Sequence, residues 1–220
     1  MITTVAFDAD YTLVDLLPAV LAGLDAVSAE TGVPVGVLRA DASAHWAATP
    51  HLPAREIRIA AMRESLARYG HEAQLDEMVA LFFDVRYANS RPYTGVVEML
   101  AKLRSDFRLG YATNANSRSE LCGLGGQFTF EIYALQNGVP KKPAAEFFHA
   151  VLAAAQAEPA EVVYVGDTYA HDVAGAAAVG LRTVWLNRGG DPVPGEVVPD
   201  AVVASLDELP ALLSRWNAAQ

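Results

Sequence analysis

Oxygen-bearing side chains stand immediately after short apolar runs at three separate places in the chain, and this recurrence restricts the fold more than any other feature. The run Ile2–Phe7 ends in Asp8-Ala9-Asp10-Tyr11-Thr12, the run Leu109–Ala112 in Thr113-Asn114, and the run Val162–Val165 in Gly166-Asp167-Thr168, with Asp172 just beyond. Runs of this length, rich in β-branched and aromatic residues, read as buried strands. From Arg91 onward such runs alternate with helical spacing: Val96–Leu103, Leu109–Ala112, Glu131–Leu135, Ala144–Ala155, Val162–Val165, Ala170–Val179, Thr183–Leu186, Ala201–Ala204 and a closing helix from Leu206. The alternation predicts an α/β chain with a mostly parallel sheet covered by helices on both faces. In such a sheet ligands bind beyond the carboxyl ends of the strands.

The first run is cut off from the others. Between Pro18 and Ser90 strand signals give way to helical spacing, as in Ile59, Met62, Leu66 and Tyr69, and turn signals at Thr31-Gly32-Val33-Pro34, Thr49-Pro50-His51-Leu52-Pro53 and Gly70-His71 divide the stretch into about four helices. The simplest arrangement returns the first strand to the later sheet and makes the helical stretch an insertion. The expected domains are a core of residues 1–15 and 91–220 and a helical cap of residues 16–90.

Charge narrows the ligand. With 16 Lys and Arg against 26 Asp and Glu, the net charge of −10 removes the electrostatic drive for nucleic acid or an anionic membrane, and a small substrate is expected. No apolar run is long enough to span a bilayer. The single cysteine, Cys122, cannot close an internal disulfide, and together with an N-terminus lacking a signal pattern it points to a reducing cytoplasm. The apolar pattern does not distinguish a monomer from a homodimer.

Asp8 and Asp10 at one strand end and Asp167 at another make a hard oxygen site suited to Mg²⁺. A phosphate at this site would meet the Thr113 hydroxyl, backbone N–H groups near Asn114 at an expected helix start, and the ammonium of Lys142. Lys141 stands beside Lys142, and the following Pro143 favours Lys142 as the inward one. Asp172 has two readings, as a support for the site or as a helix cap.

These residues resemble the haloacid dehalogenase superfamily, in its phosphatase branch with a small helical cap inserted after the first motif. DADYT at Asp8–Thr12, TN at Thr113–Asn114, KP at Lys142–Pro143 and GDTYAHD at Gly166–Asp172 match the family's four motifs in order. The resemblance implies a Rossmann-like core and an Mg²⁺-dependent phosphomonoester hydrolase that passes through an aspartyl-phosphate. It implies Asp8 as nucleophile, Asp10 as acid and then base, Thr113 and donors near Asn114 as phosphoryl ligands, and Lys142 as charge stabiliser. It also implies Mg²⁺ on Asp8, the Asp10 carbonyl oxygen and Asp167, with Asp172 supporting a metal-bound water or Lys142. Two positions depart from the pattern: Tyr11 stands where the family usually has glycine, and Ala145 where a second proline is common.

Rival activities use the same parts. A 2-haloacid dehalogenase attacks carbon from the same aspartate, but Asp10 is normally replaced there. A phosphosugar mutase differs only in the phosphoryl acceptor, and a non-catalytic phosphate-binding regulatory protein would keep the site without turnover. A phosphonate hydrolase of this kind needs a cap lysine, whereas the only lysines here are Lys102, Lys141 and Lys142. His45, Trp46, His51, Arg55 and Arg58 cluster around one turn of the insertion; a solvated arginine face with a packed tryptophan is the favoured reading over a substrate-binding group.

Overall fold

The computed structural model describes residues 1–115 and 117–219. Strand β1 (Thr4–Phe7) is followed by helices α1 (Leu16–Thr31), α2 (Val35–Ala48), α3 (Ala54–Arg68) and α4 (Leu75–Asn89). Then come α5 (Val96–Leu103), β2 (Arg108–Thr113), β3 (Phe130–Tyr133), α6 (Ala145–Ala155), β4 (Val162–Gly166), a short α7 (Gly175–Ala177), β5 (Arg182–Leu186), β6 (Ala201–Val203) and α8 (Leu209–Ala218). The chain divides into two compact units, Met1–Val14 with Pro92–Gln220, and Asp15–Arg91.

The discontinuous unit is an α/β fold whose six strands are all parallel, in the order β3-β2-β1-β4-β5-β6. Strands buried on both faces must be apolar at nearly every position, and β1 and β4 are buried throughout. Alternate residues sort into two cores. Val5, Phe7, Tyr111, Val163 and Val184 pack with α5 and α8 on one face, while Ala6, Ala112 and Tyr164 pack with Phe147, Phe148 and Val151 of α6 on the other. Helix α5 buries Val96, Met99, Leu100 and Leu103, the i, i+3, i+4, i+7 stripe that its sequence carries.

The chain runs outward from β1 to β2 and β3, then crosses back to add β4 on the other side of β1. That reversal opens a crevice beyond the strand ends. Phe7 is level with Val165, and Asp8 N–H donates to Val165 O at 2.9 Å, so Asp8 and Asp167 emerge side by side. The chain leaves and re-enters this unit through a paired segment: Val14 bridges Pro92, and Tyr93 N–H donates to Leu13 O at 2.9 Å.

Two expected elements differ. The run expected to continue to Leu135 stops at Tyr133, because Leu135 turns to a φ of 62°. The single helix expected over Ala170–Val179 is instead a π-helical turn, Tyr169–Ala174, followed by the three residues of α7. Asp172 turns its side chain back to accept the Thr168 N–H at 2.9 Å at the start of this segment. Local π geometry of this kind commonly sits at functional sites.

The second unit is helical throughout, with a core of Leu24, Val27, Met62, Leu66, Met78 and Phe82. No helix among the described residues is long and apolar enough to cross a membrane. Helices α1 and α4 meet at Gly23, where an added Cβ would lie 2.8 Å from both the Phe82 ring and the Phe82 carbonyl oxygen. A backbone atom cannot retreat without moving its helix. Gly23→Val is therefore expected to destabilise this unit by about 1–3 kcal/mol, as overpacking does; an unchanged urea midpoint would contradict the close approach.

Candidate active site

The ammonium of Lys142 organises the crevice. Its Nζ donates to Asp8 Oδ1 at 2.6 Å, to Asp172 Oδ1 at 2.6 Å and to the Tyr164 hydroxyl at 2.9 Å, which accounts for all three of its protons. Tyr164 in turn donates to Ala112 O at 2.6 Å. Lys142 is only 4% exposed. Burial by itself would lower its pKa, but Asp172 and then Asp8 outweigh that and hold the ammonium well above its ordinary range. Lys142, rather than Lys141, carries the fully buried charge.

Asn114 holds the lysine's backbone. Its Nδ2 donates to Lys142 O at 3.0 Å and its Oδ1 accepts the Lys142 N–H at 2.7 Å. The two bonds tie the end of β2 to the segment before α6. No helix begins at Asn114 among the described residues, which corrects the expected helix start: residues 114–115 form a bend, and the next regular turn is the 3₁₀ segment Ser119–Cys122. The bend is drawn by the Thr113 hydroxyl, which accepts the Ala115 N–H at 3.0 Å and keeps its own proton to donate.

Both oxygens of Asp172 are engaged, Oδ1 with Lys142 and Oδ2 with the Thr168 N–H. The support and cap readings are thus two halves of one role. The residue sits so close to β4 that a Cβ at Gly166 would lie 2.3 Å from its carboxylate carbon, so glycine is required there. Burial pushes the Asp172 carboxyl up to about 7 against the pull of the Lys142 ammonium 2.6 Å away.

Carboxylate oxygens of Asp8, Asp167 and Asp172 lie within 4.8 Å of one another. Thr12 links two of them. Its hydroxyl is 3.3 Å from Asp8 Oδ2 and 3.1 Å from Asp167 Oδ1, so one proton serves two carboxylates, and its oxygen accepts the Asp167 N–H at 3.1 Å. The Trp185 indole donates to Asp167 O at 2.9 Å. Burial, and next the charge of Asp8, raise the Asp167 pKa to about 6. Grouped hard oxygen donors of this kind suit a hard divalent cation.

Tyr11 follows Asp10 with φ 62°, in the left-handed region that costs a non-glycine residue about 1–2 kcal/mol. Tyr11 N–H donates to Val14 O at 2.9 Å, and the Thr12, Leu13 and Val14 N–H groups all converge on Ala9 O. From the loop after β5, Arg188 donates from Nη1 to Tyr11 O and from Nη2 to Thr12 O at 3.0 Å. Asp10 itself is half-buried at the head of this turn. A groove of about 320 Å³, lined in part by Tyr11, Tyr93, Asp167, Trp185, Arg188 and Asp191, opens beside the carboxylates.

In the helical unit, His45 Nε2 lies 2.8 Å from Glu64 Oε2. Arg55 and Arg58 stack over Phe83 and Phe82 at 4.4 and 4.8 Å, and Trp46 and His51 are exposed. The roles of Thr12, Tyr164 and Arg188 were not read from sequence. Thr12 stood inside the first motif without an assignment, Tyr164 looked like one more aromatic in an apolar run, and Arg188 carries no local signal.

The sequence profile of the haloacid dehalogenase-like hydrolases matches residues 2–180. The chain belongs to that family. Its similarity to individual members is moderate. It is 33% identical over 129 residues to pyrimidine 5'-nucleotidase YjjG of Escherichia coli, covering 56% of this chain and 57% of that protein. It is 29% identical over 160 residues to N-acylneuraminate-9-phosphatase of Rattus norvegicus, covering 70% of this chain and 64% of that protein. The chain thus spans less than two thirds of the length of these relatives. Among solved structures, the 2-haloacid dehalogenase from Pseudomonas syringae superposes with a TM-score of 0.81 at 30% identity, over 98% of this chain and 100% of that one.

The raised pKa of Asp167 makes a stability prediction. A carboxyl with a folded pKa above its unfolded value contributes stability at low pH that is lost as pH rises between the two, here between about pH 4 and 6. Asp167→Asn is permanently neutral and keeps an oxygen for Thr12. Without divalent cations it is expected to be more stable than the wild type at pH 8, by about 1–3 kcal/mol, and equal to it at pH 4. Parallel denaturation curves at the two pH values check this.

Proposed function

We propose that this hydrolase cleaves phosphate monoesters of a small metabolite through an aspartyl-phosphate on Asp8. The observation that carries the reading is the Asp8 carboxylate held 2.6 Å from a buried ammonium and grouped with Asp167 and Asp172, with a second acid, Asp10, two residues on. An anionic nucleophile can approach an anionic phosphoryl group only where positive charge offsets both. Asp8 and Asp167 would hold Mg²⁺, with the Asp10 carbonyl oxygen as a third ligand and Asp172 as a support. The bound ion would withdraw charge from the phosphoryl oxygens and offset that repulsion.

The Asp8 carboxylate attacks phosphorus as the ester P–O bond breaks, and Asp10 gives its proton to the departing alkoxide. Asp10, now a carboxylate, takes a proton from the water that attacks the phosphoryl-aspartate. That step releases inorganic phosphate and restores Asp8. The Thr113 hydroxyl donates to the phosphoryl oxygens, the Lys142 proton held by Asp8 Oδ1 in the free site turns to them as Asp8 bonds to phosphorus, and Asn114 holds Lys142 in line. The two curated relatives are a nucleotidase and a sugar-acid phosphatase by name, which supports a small phosphorylated metabolite as the substrate class.

A second reading, 2-haloacid dehalogenase, is favoured by the structural likeness to the Pseudomonas syringae enzyme. The two are separated by assaying phosphate release from a panel of phosphorylated metabolites and an aryl phosphate, and halide release from 2-haloacids, each with Mg²⁺ and with chelator. Phosphate release that depends on Mg²⁺ is expected, and halide release without it would replace the reading. Asp8→Asn is expected to stay folded and lose turnover. Asp10→Asn is expected to slow alkyl phosphates by about 10²–10⁴-fold and the aryl phosphate much less, because a good leaving group needs little protonation. Equal losses would remove Asp10 from the acid role.

A further inference from the structure

We infer that Arg188 is a positioning residue for Asp10, holding the turn that carries it in a conformation Tyr11 would otherwise leave. The inference deepens the phosphatase reading and rests on it for its kinetic arm. The turn from Ala9 to Val14 must keep Tyr11 at φ 62° to retain its bond to Val14 O and the three N–H groups converging on Ala9 O. Glycine adopts that φ freely; tyrosine does not. Relaxation of Tyr11 to negative φ would rotate the peptide next to Asp10 and carry its carboxyl out of line.

Arg188 opposes that rotation at the two carbonyls affected. Its two terminal nitrogens donate to Tyr11 O and Thr12 O, a fork that a guanidinium makes and an ammonium cannot. The guanidinium carbon also lies 4.1 Å from the centre of the Tyr93 ring, on the segment by which the chain re-enters the unit. One side chain therefore fastens both passes of the chain beside Asp10. The loop that carries it is itself held: Asn187 N–H donates to Val203 O at 2.8 Å, the Asn187 side chain donates to Asp191 O at 2.8 Å and accepts the Asp191 N–H at 3.0 Å. An exposed arginine is ordinarily a solvated surface group, but this one ends on two backbone acceptors and an aromatic face.

The test uses Arg188→Ala, Arg188→Lys, Tyr11→Gly and the double variant Tyr11→Gly/Arg188→Ala, each in the full chain. Arg188→Ala is expected to lower kcat for an alkyl phosphate by about 10²-fold with little change in KM, as small displacements of catalytic groups do. Its effect on the aryl phosphate should be much smaller, the signature of a misplaced acid. Arg188→Lys should recover only part of the loss. Measured against Tyr11→Gly alone, the double variant should lose little further activity, since glycine needs no brace. A loss in Arg188→Ala that is equal for both esters, or that is as large in the Tyr11→Gly background, overturns the proposal. Amide hydrogen exchange supplies a readout independent of turnover. Protection at Tyr11, Leu13 and Val14 should fall in Arg188→Ala and return in the double variant, and unchanged protection overturns the brace. If the wild type releases no phosphate from any ester, the phosphatase reading fails, and the exchange result alone decides the role of Arg188.

Discussion

A buried ammonium balanced by two carboxylates is the interaction on which the site depends. Lys142 lies where water cannot solvate it, and it is tolerable only because Asp8, Asp172 and Tyr164 take its three protons. Each partner comes from a different strand end or turn: Asp8 from beyond β1, Asp172 from the π turn beyond β4, Tyr164 from within β4 itself. The charge balance therefore ties together segments distant in sequence. Removing any one partner would leave a buried ammonium proton without its acceptor, so the geometry of Asp8 and the stability of the crevice are set by the same bonds.

The same economy recurs around the lysine. Asn114 is occupied with the Lys142 backbone through two hydrogen bonds, and Thr12 shares one hydroxyl proton between Asp8 and Asp167. These groups fix the orientation of the residues that would meet a phosphate, which is the preorganisation that electrostatic catalysis requires. The parallel sheet supplies the starting alignment. Because its chain order reverses beside β1, the ends of β1 and β4 are adjacent, and their polar residues face a common crevice rather than opposite edges.

Much of this was legible in the chain. Period and turn signals located the strands because a strand buried on both faces has no choice but to be apolar, and the stripe of α5 is visible for the same reason. The acidic residues were legible because they interrupt apolar runs at their ends. The π turn at Tyr169–Ala174 was not, since its sequence suits an ordinary helix. The role of Asn114 was likewise hidden, because its side chain's partner is a backbone 28 residues away.

Sequence alone determined that the chain is an α/β fold with a helical insertion and that aspartates stand at its strand ends, since periodicity and residue type are local properties. Tertiary structure alone decided which polar atoms meet. That Lys142 and not Lys141 is buried, that Tyr164 turns its hydroxyl to that ammonium, and that Arg188 fastens the turn behind Asp10 all follow from distances across the sheet. Those distances depend on strand order and register, and no local pattern of residues encodes them.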